Sequence, residues 1–513
     1  MAVVETTTRH FSGYIALAAL FAVVFYGLHQ LLVARVDPRE PPVLKPRVPF
    51  VGHILGLIKH QHSYYKLLFG GSPAPICTLP MLNGKGYVIT DPGLALAAFR
   101  SRNLSLGPLI SEMIARITGL SDDCMDIYNS VAFQAQWNKI VHSTLTGEQL
   151  RLINIAGLRD LADALNAVPS GGLDIPDLYL WTRSTMTRAT TSALYGDENP
   201  WKRDPSLTEA YWGFESYMLA IIINILPGIV APRAITCRNK LRAGFRDYFA
   251  SSGDQNPNTH SFTKQRGLLE RSSGLSADDM AALEVVVVHG ALSNTIPTSF
   301  WFLVHVFSCP DLVERLRKEL ENIVSPGDEP KEMAIDIARL EDRCPLLVSS
   351  FRESHRLSSV GTSIRRVMQD TVLSAGGRSH LLKEGCFVHV PMSVVHVARE
   401  TWGADAEGFR GSRFRDMAAG GSVSKEKRVY FPFGGGRHAC PGRHFASAES
   451  WGFLVVLLMG FDVTGPDGGV VQVPRPKLPN MTTSIWRPLA GENLEAKISR
   501  RSGWEDVVWR ISE

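Results

Sequence analysis

One cysteine constrains this chain more than any other feature. Residues 431–446 read FPFGGGRHACPGRHFA: three glycines at 434–436, then Cys440, a Pro-Gly turn, and an apolar run with helical spacing from Phe445 to Leu458. Glycine reaches φ > 0 without steric cost, so the backbone here is free to approach something closely. A thiol beside exposed N–H groups and ahead of a helix N-terminus is favoured as the anion, because those dipoles attract negative charge. The thiolate is the form that ligates iron, and it pushes electron density onto the metal. The bland alternative is a Gly-rich loop with an incidental cysteine. The other cysteines (Cys77, Cys124, Cys237, Cys309, Cys344 and Cys386) are scattered, bring the total to an odd seven, and form no C-x-x-C pair. That excludes a disulfide framework and a structural zinc site, and it fits a reducing compartment.

A chain of 513 residues can bury a large core, and 45% hydrophobic with 20% charged residues is the composition of one. The net charge of +4 comes without a long Lys/Arg run or aromatic interleaving, so nucleic-acid binding is excluded as a function class. Helical apolar periodicity dominates the middle of the chain, as at 280–307 and 312–323. Short strand-like runs occur near 86–90, 364–373 and 386–390, and the last fifty residues mix strand-like runs with Pro and Gly turns. The expected fold class is mainly α with small β-sheets.

Residues 14–34 read YIALAALFAVVFYGLHQLLVA, long enough as a helix to cross the hydrocarbon core. The rival reading, a cleaved signal peptide, needs a shorter apolar stretch and a small-residue cleavage site. Arg35, Arg39, Lys45 and Arg47 follow the segment, against Arg9 before it, so the bulk of the chain is expected on the cytosolic side. The expected organisation is a luminal tail at 1–13, a transmembrane anchor at 14–34, a Pro-rich connector at 35–49 and a cytosolic catalytic domain at 50–513. The apolar stretch 217–231 is too interrupted by Asn224, Pro227 and Gly228 to span a bilayer. It reads equally as a buried helix or as a loop dipping into lipid.

Phe433, Gly436, Cys440 and Gly442 match the pattern F-x-x-G-x-x-x-C-x-G, and Ala446 and Glu449 follow in register. The segment resembles the heme-binding signature of the cytochrome P450 superfamily. The resemblance implies the P450 fold with an N-terminal transmembrane helix, and heme b as cofactor with Cys440 as its axial sulfur ligand. It also implies Phe433 as the residue shielding the sulfur, and His438 in the place of the usual basic partner of a heme propionate. ESHR at 353–356 is similar to the family's E-x-x-R helix, and Arg413 in FRGSRF (409–414) to its later arginine. Together these imply a structural Glu353–Arg356–Arg413 cluster. In SIRRVMQD (363–370), Arg365 is favoured over Arg366 as a second propionate partner. The family's W-x-x-x-R contact is altered: Trp137 is present, but Val141 stands where the arginine would, leaving Lys139 or His142 as substitutes.

The run 281–301 reads as one long helix carrying ALSNT at 291–295. The family places an acid–threonine pair there for proton delivery to oxygen. Thr295 keeps the alcohol and Asn294 replaces the acid, so both are candidate catalytic residues. The plainer reading is that Asn294 and Thr295 only hydrogen-bond backbone near Pro297. These details resemble the branch that contains the cholesterol and oxysterol 7α-hydroxylases and prostacyclin synthase. The implied activity is monooxygenation of a bulky lipophilic substrate such as a sterol, terpenoid or other natural product. Residues 110–117, 287–298, 358–364 and 483–486 are expected to wall its pocket. Electrons would come from NADPH through a separate membrane-bound NADPH-cytochrome reductase facing Arg437 and Arg443, at the endoplasmic reticulum membrane. The alternatives are a heme-thiolate isomerase or dehydratase that turns over a peroxide without external electrons, and a non-catalytic heme-binding or sterol-sensing protein.

Overall fold

The computed structural model describes residues 35–46, 48, 51–69, 73–82, 84–420, 428–477 and 481–512. The expected luminal tail, the expected anchor at 14–34 and part of the connector lie outside the described residues. The chain divides into two compact units. One takes the residues up to Leu106 together with Thr362–Val395, and the other takes Gly107–Gly361 with His396–Glu513.

The first unit is built on a mixed sheet of β1 (Ile76–Met81), β2 (Gly84–Ile89), β3 (Leu104–Ser105), β4 (Thr362–Val367) and β5 (Phe387–Pro391), in the spatial order β1-β2-β5-β4-β3. β1 and β2 form an antiparallel pair, β5 runs parallel to β2, and β4 runs antiparallel to both β5 and β3. The expected strand at 364–373 is two strands, because the chain turns at 368–370 and resumes as Thr371–Ala375 in a separate hairpin. Leu57, Tyr65, Cys77, Leu79, Val88 and Val394 close the apolar face.

The second unit is mainly helical, and its centre is α8 (Arg443–Gly460), buried almost all round from Gly452 to Gly460. Around it lie α1 (Gly147–Asn166), α2 (Leu178–Tyr195), α3 (Leu207–Ile223), α4 (Pro232–Ala250), α5 (Ala277–Leu292), α6 (Thr295–Phe307) and α7 (Pro345–Ser358). A Cβ on Gly452 would lie 2.3 Å from Leu158 of α1, so α8 and α1 can pack this closely only with glycine there. Three of these helices start where a side-chain acceptor is supplied. Asp177 accepts from the Leu180 N–H ahead of α2, and Ser276 and Asp279 form a capping box ahead of α5. At α7, Pro345 occupies the first turn and the Glu319 carboxylate accepts from Leu346 and Leu347 N–H at 2.8 and 2.9 Å.

The run 281–301 is not one helix. α5 ends at Leu292, Ser293 and Asn294 form a turn, and α6 starts at Thr295. The reason is Pro297, which has no N–H to give to the carbonyl four residues back and whose ring crowds it. Among the described residues, 277–307 is the one helical stretch long and apolar enough to cross a membrane, and 67% of its most apolar window is buried inside the protein. It is a core element. Three peripheral sheets complete the unit. Phe461–Thr464, Ala496–Arg500 and Leu173–Ile175 form one, Val508–Ile511, Glu332–Ile335 and Val324–Pro326 another, and Pro476–Lys477 with Arg487–Pro488 the third.

Candidate active site

The cysteine loop is closed by its own backbone. Gly434 N–H donates to Phe431 C=O at 2.9 Å, and Cys440 N–H donates back to Phe433 C=O at 2.9 Å. Gly434 (φ +71°) and Gly436 (φ +64°) take the left-handed conformations that this tight return needs. The sequence therefore places glycine where side chains would be strained. Of the seven cysteines, Cys440 is the exposed one; the others are buried or half-buried.

Burial of the sulfur's surroundings pushes the Cys440 thiol up, while the Gly442 N–H and the Arg443 charge pull the other way. Desolvation outweighs both. A metal cation at the sulfur would stabilise the anion, because a coordinating thiol is deprotonated outright. The expected heme fits the residues present: a cysteine held in a backbone-closed loop, with donors beside it for carboxylates. Arg437, His438 and Arg443 lie on the same stretch, with Arg437 Nε 3.2 Å from His438 Nε2. Phe433 meets the buried His355 ring edge-on, with centroids 4.7 Å apart.

The loop is tied to an ion cluster one layer deeper. Arg356 forks onto Glu353 at 2.8 and 2.9 Å, and Arg413 Nε reaches the same carboxylate at 2.7 Å, all three side chains being buried. The Glu353–Arg356–Arg413 cluster implied by the resemblance is therefore assembled. Its tie to the loop is His396, which the sequence did not single out. The His396 carbonyl accepts from Arg356 Nη1, and its ring Nε2 accepts from Phe431 N–H at 3.1 Å. Burial drives His396 down to about 3, so the ring is neutral, and accepting at Nε2 puts its proton on Nδ1.

The second half of the site is the turn between α5 and α6. Thr295 is buried, and its hydroxyl has no hydrogen-bond partner among the described residues. By contrast, Thr298 and Ser299 bond back to the carbonyls of Asn294 and Thr295, at 2.7 and 3.0 Å. Asn294 Oδ1 accepts from Ser484 N–H at 2.9 Å, and its Nδ2 donates to Ser293 Oγ at 3.2 Å. Ser299 Oγ donates to Ser450 Oγ at 2.9 Å, pinning α6 to the helix that leaves the cysteine loop. Along α5 the residues Val286, Val287, Gly290, Ala291 and, past its end, Asn294 are half-buried or exposed, whereas Val285, Val288 and Leu292 are buried. A Cβ on Gly290 would meet nothing within 4 Å.

The other candidates lie on other elements. Arg365 is buried in β4 of the first unit, bonding to Ser363 Oγ and Ile364 C=O with its guanidinium 5.4 Å from the Phe99 ring centroid, while Arg366 is exposed. Trp137 stacks on Phe133 and lies beneath the Arg266 guanidinium, and Lys139 and His142 are exposed.

A family model described as Cytochrome P450 matches residues 41–485. The chain is 34% identical over 481 residues to "Cytochrome P450 monooxygenase" of Gibberella zeae, covering 93% of this chain and 92% of that one. It is 30% identical over 477 residues to "Cytochrome P450 7B1" of Mus musculus, covering 88% and 89%. To "25-hydroxycholesterol 7-alpha-hydroxylase" of Rattus norvegicus it is 30% identical over 210 residues, 39% of this chain and 50% of that one.

Proposed function

The chain belongs to the cytochrome P450 family, a monooxygenase-type oxidoreductase whose cofactor is heme b with an axial cysteine thiolate, and on that premise we propose that it oxidises a bulky lipophilic substrate with Cys440 as the iron ligand. The observation that carries the reading is the single exposed cysteine, held in a backbone-closed glycine loop. Heme b held through a thiolate supplies the activation of O2: one oxygen atom enters a C–H bond, the other leaves as water, and NADPH provides the two electrons.

The chain's own residues then have separable tasks. Phe433 covers the sulfur and keeps water from it. His438 neutralises a heme carboxylate. The Thr295 hydroxyl, uncommitted to backbone, holds a proton on Oγ1 for the oxygen side, and Asn294 fixes the turn that presents it. An amide cannot exchange a proton as a carboxylic acid does, so Asn294 positions and Thr295 donates.

The half-open apolar face of α5 supports a polycyclic or similarly bulky substrate, in line with the rat relative named for a hydroxycholesterol. The electron donor we propose is a separate NADPH-cytochrome reductase docking against exposed Arg437 and Arg443. Membrane attachment is supported by the end of α3 and the turn after it, where Ile223, Ile225, Leu226, Ile229 and Val230 are all exposed. With the anchor at 14–34, this surface would place the enzyme on the endoplasmic reticulum membrane.

The test is the reduced full-length holoenzyme under carbon monoxide. The red-shifted band of a thiolate ligand is expected, and Cys440→His is expected to lose that band while still binding heme. A wild-type protein that folds and binds heme without that band refutes the assignment. Product formation without NADPH or reductase, from a peroxide substrate, would instead identify isomerase chemistry.

A further inference from the structure

The turn that presents Thr295 contains a carbonyl with no helical donor. In an unbroken helix the N–H of residue 297 would bond to Ser293 C=O, and Pro297 has no N–H. A buried carbonyl left unpaired costs about 1–3 kcal/mol. Here Arg487 Nη2 donates to Ser293 C=O at 2.6 Å. The same nitrogen donates to Glu215 Oε1 of α3 at 2.8 Å, and Nη1 donates to Ile485 C=O at 3.1 Å. Both charged side chains are almost fully enclosed, with 14% and 8% of their side-chain surface exposed. Three residues earlier, Ser484 N–H donates to Asn294 Oδ1. The segment 484–487 therefore grips the turn at two consecutive residues.

We propose that Arg487, held by Glu215, is a positioning residue for the Thr295 hydroxyl. Hydroxyls in this molecule donate to nearby carbonyls, as Thr182, Thr190, Thr298 and Ser299 do to carbonyls four residues back, and Ser293 C=O, two residues before Thr295, lacks its helical donor. With the Ser293 carbonyl occupied by the guanidinium, the Thr295 proton stays available to the oxygen side. A core ion pair would need only Glu215 and Arg487. The third contact falls on the carbonyl that Pro297 leaves open, and this ties the pair to the reaction. The proposal rests on the reading of Thr295 given above.

The CO stretching frequency of the reduced holoenzyme senses hydroxyl protons near bound CO, and it tests both claims separately. Thr295→Ala is expected to shift the band; an unmoved band refutes the reading of Thr295 itself. Given that shift, Arg487→Met is expected to move the band in the same direction, to add nothing to Thr295→Ala in the double variant, and to raise peroxide released per NADPH severalfold. Arg487→Met with the wild-type band overturns the proposal. Pro297→Ala in the Arg487→Met background restores a backbone donor to Ser293 C=O. Recovery of the band together with the melting midpoint is expected, because the carbonyl is again occupied; recovery of the midpoint alone would overturn the proposal. If Arg487→Met does not load heme, Glu215→Gln and Arg487→Lys serve, with a partial shift expected and a wild-type band in both overturning the proposal.

Discussion

His396 is a buried ring with two hydrogen-bonding duties in opposite directions. Its carbonyl takes Arg356 from the ion cluster and its ring takes the Phe431 N–H that opens the cysteine loop. His396→Leu keeps the volume but leaves that N–H unpaired, so about 1–3 kcal/mol of stability should be lost. Heme should also leave faster, since the loop loses its anchor. His396→Gln, which retains an acceptor, should recover part of both. Equal melting midpoints and equal rates of heme transfer to apomyoglobin for wild type and the leucine variant would show the bond to be idle. The Glu353–Arg356 pair was legible because the two residues sit one helical turn apart, where spacing decides who meets whom. His396 was not, because its acceptor role depends on residues 35 and 40 positions distant.

The helical stretch 277–307 shows the same limit at the scale of an element. Apolar periodicity announced a helix correctly and announced it as unbroken. Pro297 marked where the break would fall, but no local pattern identified Arg487 as the donor that fills it. Periodicity did contain the second feature of this helix: Val286, Val287, Gly290, Ala291 and Asn294 recur at helical spacing on the less buried side. Gly290 has no neighbour within 4 Å of a built Cβ and does not have a positive φ. Gly290→Leu should therefore fold at least as well as wild type, since glycine inside a helix costs up to about 1 kcal/mol relative to better helix formers. It should also fill the space a bulky ligand would use. Spectral titration with imidazole should be unchanged, while a triphenylmethyl-substituted imidazole should bind on the order of tenfold more weakly, about 1.4 kcal/mol. Parallel losses for the two ligands, or none, would remove this face from the substrate path.

At the scale of the molecule, long-range pairing and buried titratable groups were the features least visible in sequence. β2 and β5 pair Gly86 with Phe387, a register that no short window contains. Protonation follows burial in the same way. His355 and His396 are driven by burial down to about 3, and His260, His289, His305 and His389 to about 4, so each is neutral in the folded protein. A base with a depressed folded-state pKa stabilises above its unfolded value, near 6.5, and that stability drains as pH falls below it. Two acids act oppositely. Burial raises Glu449 and Glu270 to about 8, so their contribution is complete only below the unfolded carboxylate pKa and is lost as pH rises through 8. Above pH 6.5 the histidines no longer change, and the acids alone tilt the curve, by up to about 1.4 kcal/mol per pH unit for each. Glu449 offers the cleaner test, because Thr190 donates to its Oε1 at 2.6 Å while its Oε2 is buried without a partner. Glu449→Gln keeps an acceptor for Thr190 and removes the charge that would have to form. Its melting midpoint should match wild type only near pH 4.5 and exceed it increasingly as pH rises toward 8. Curves that stay parallel over that range would mean that Glu449 ionises without cost in the folded protein, and that α8 does not enclose it as tightly as its packing against α1 and α2 requires.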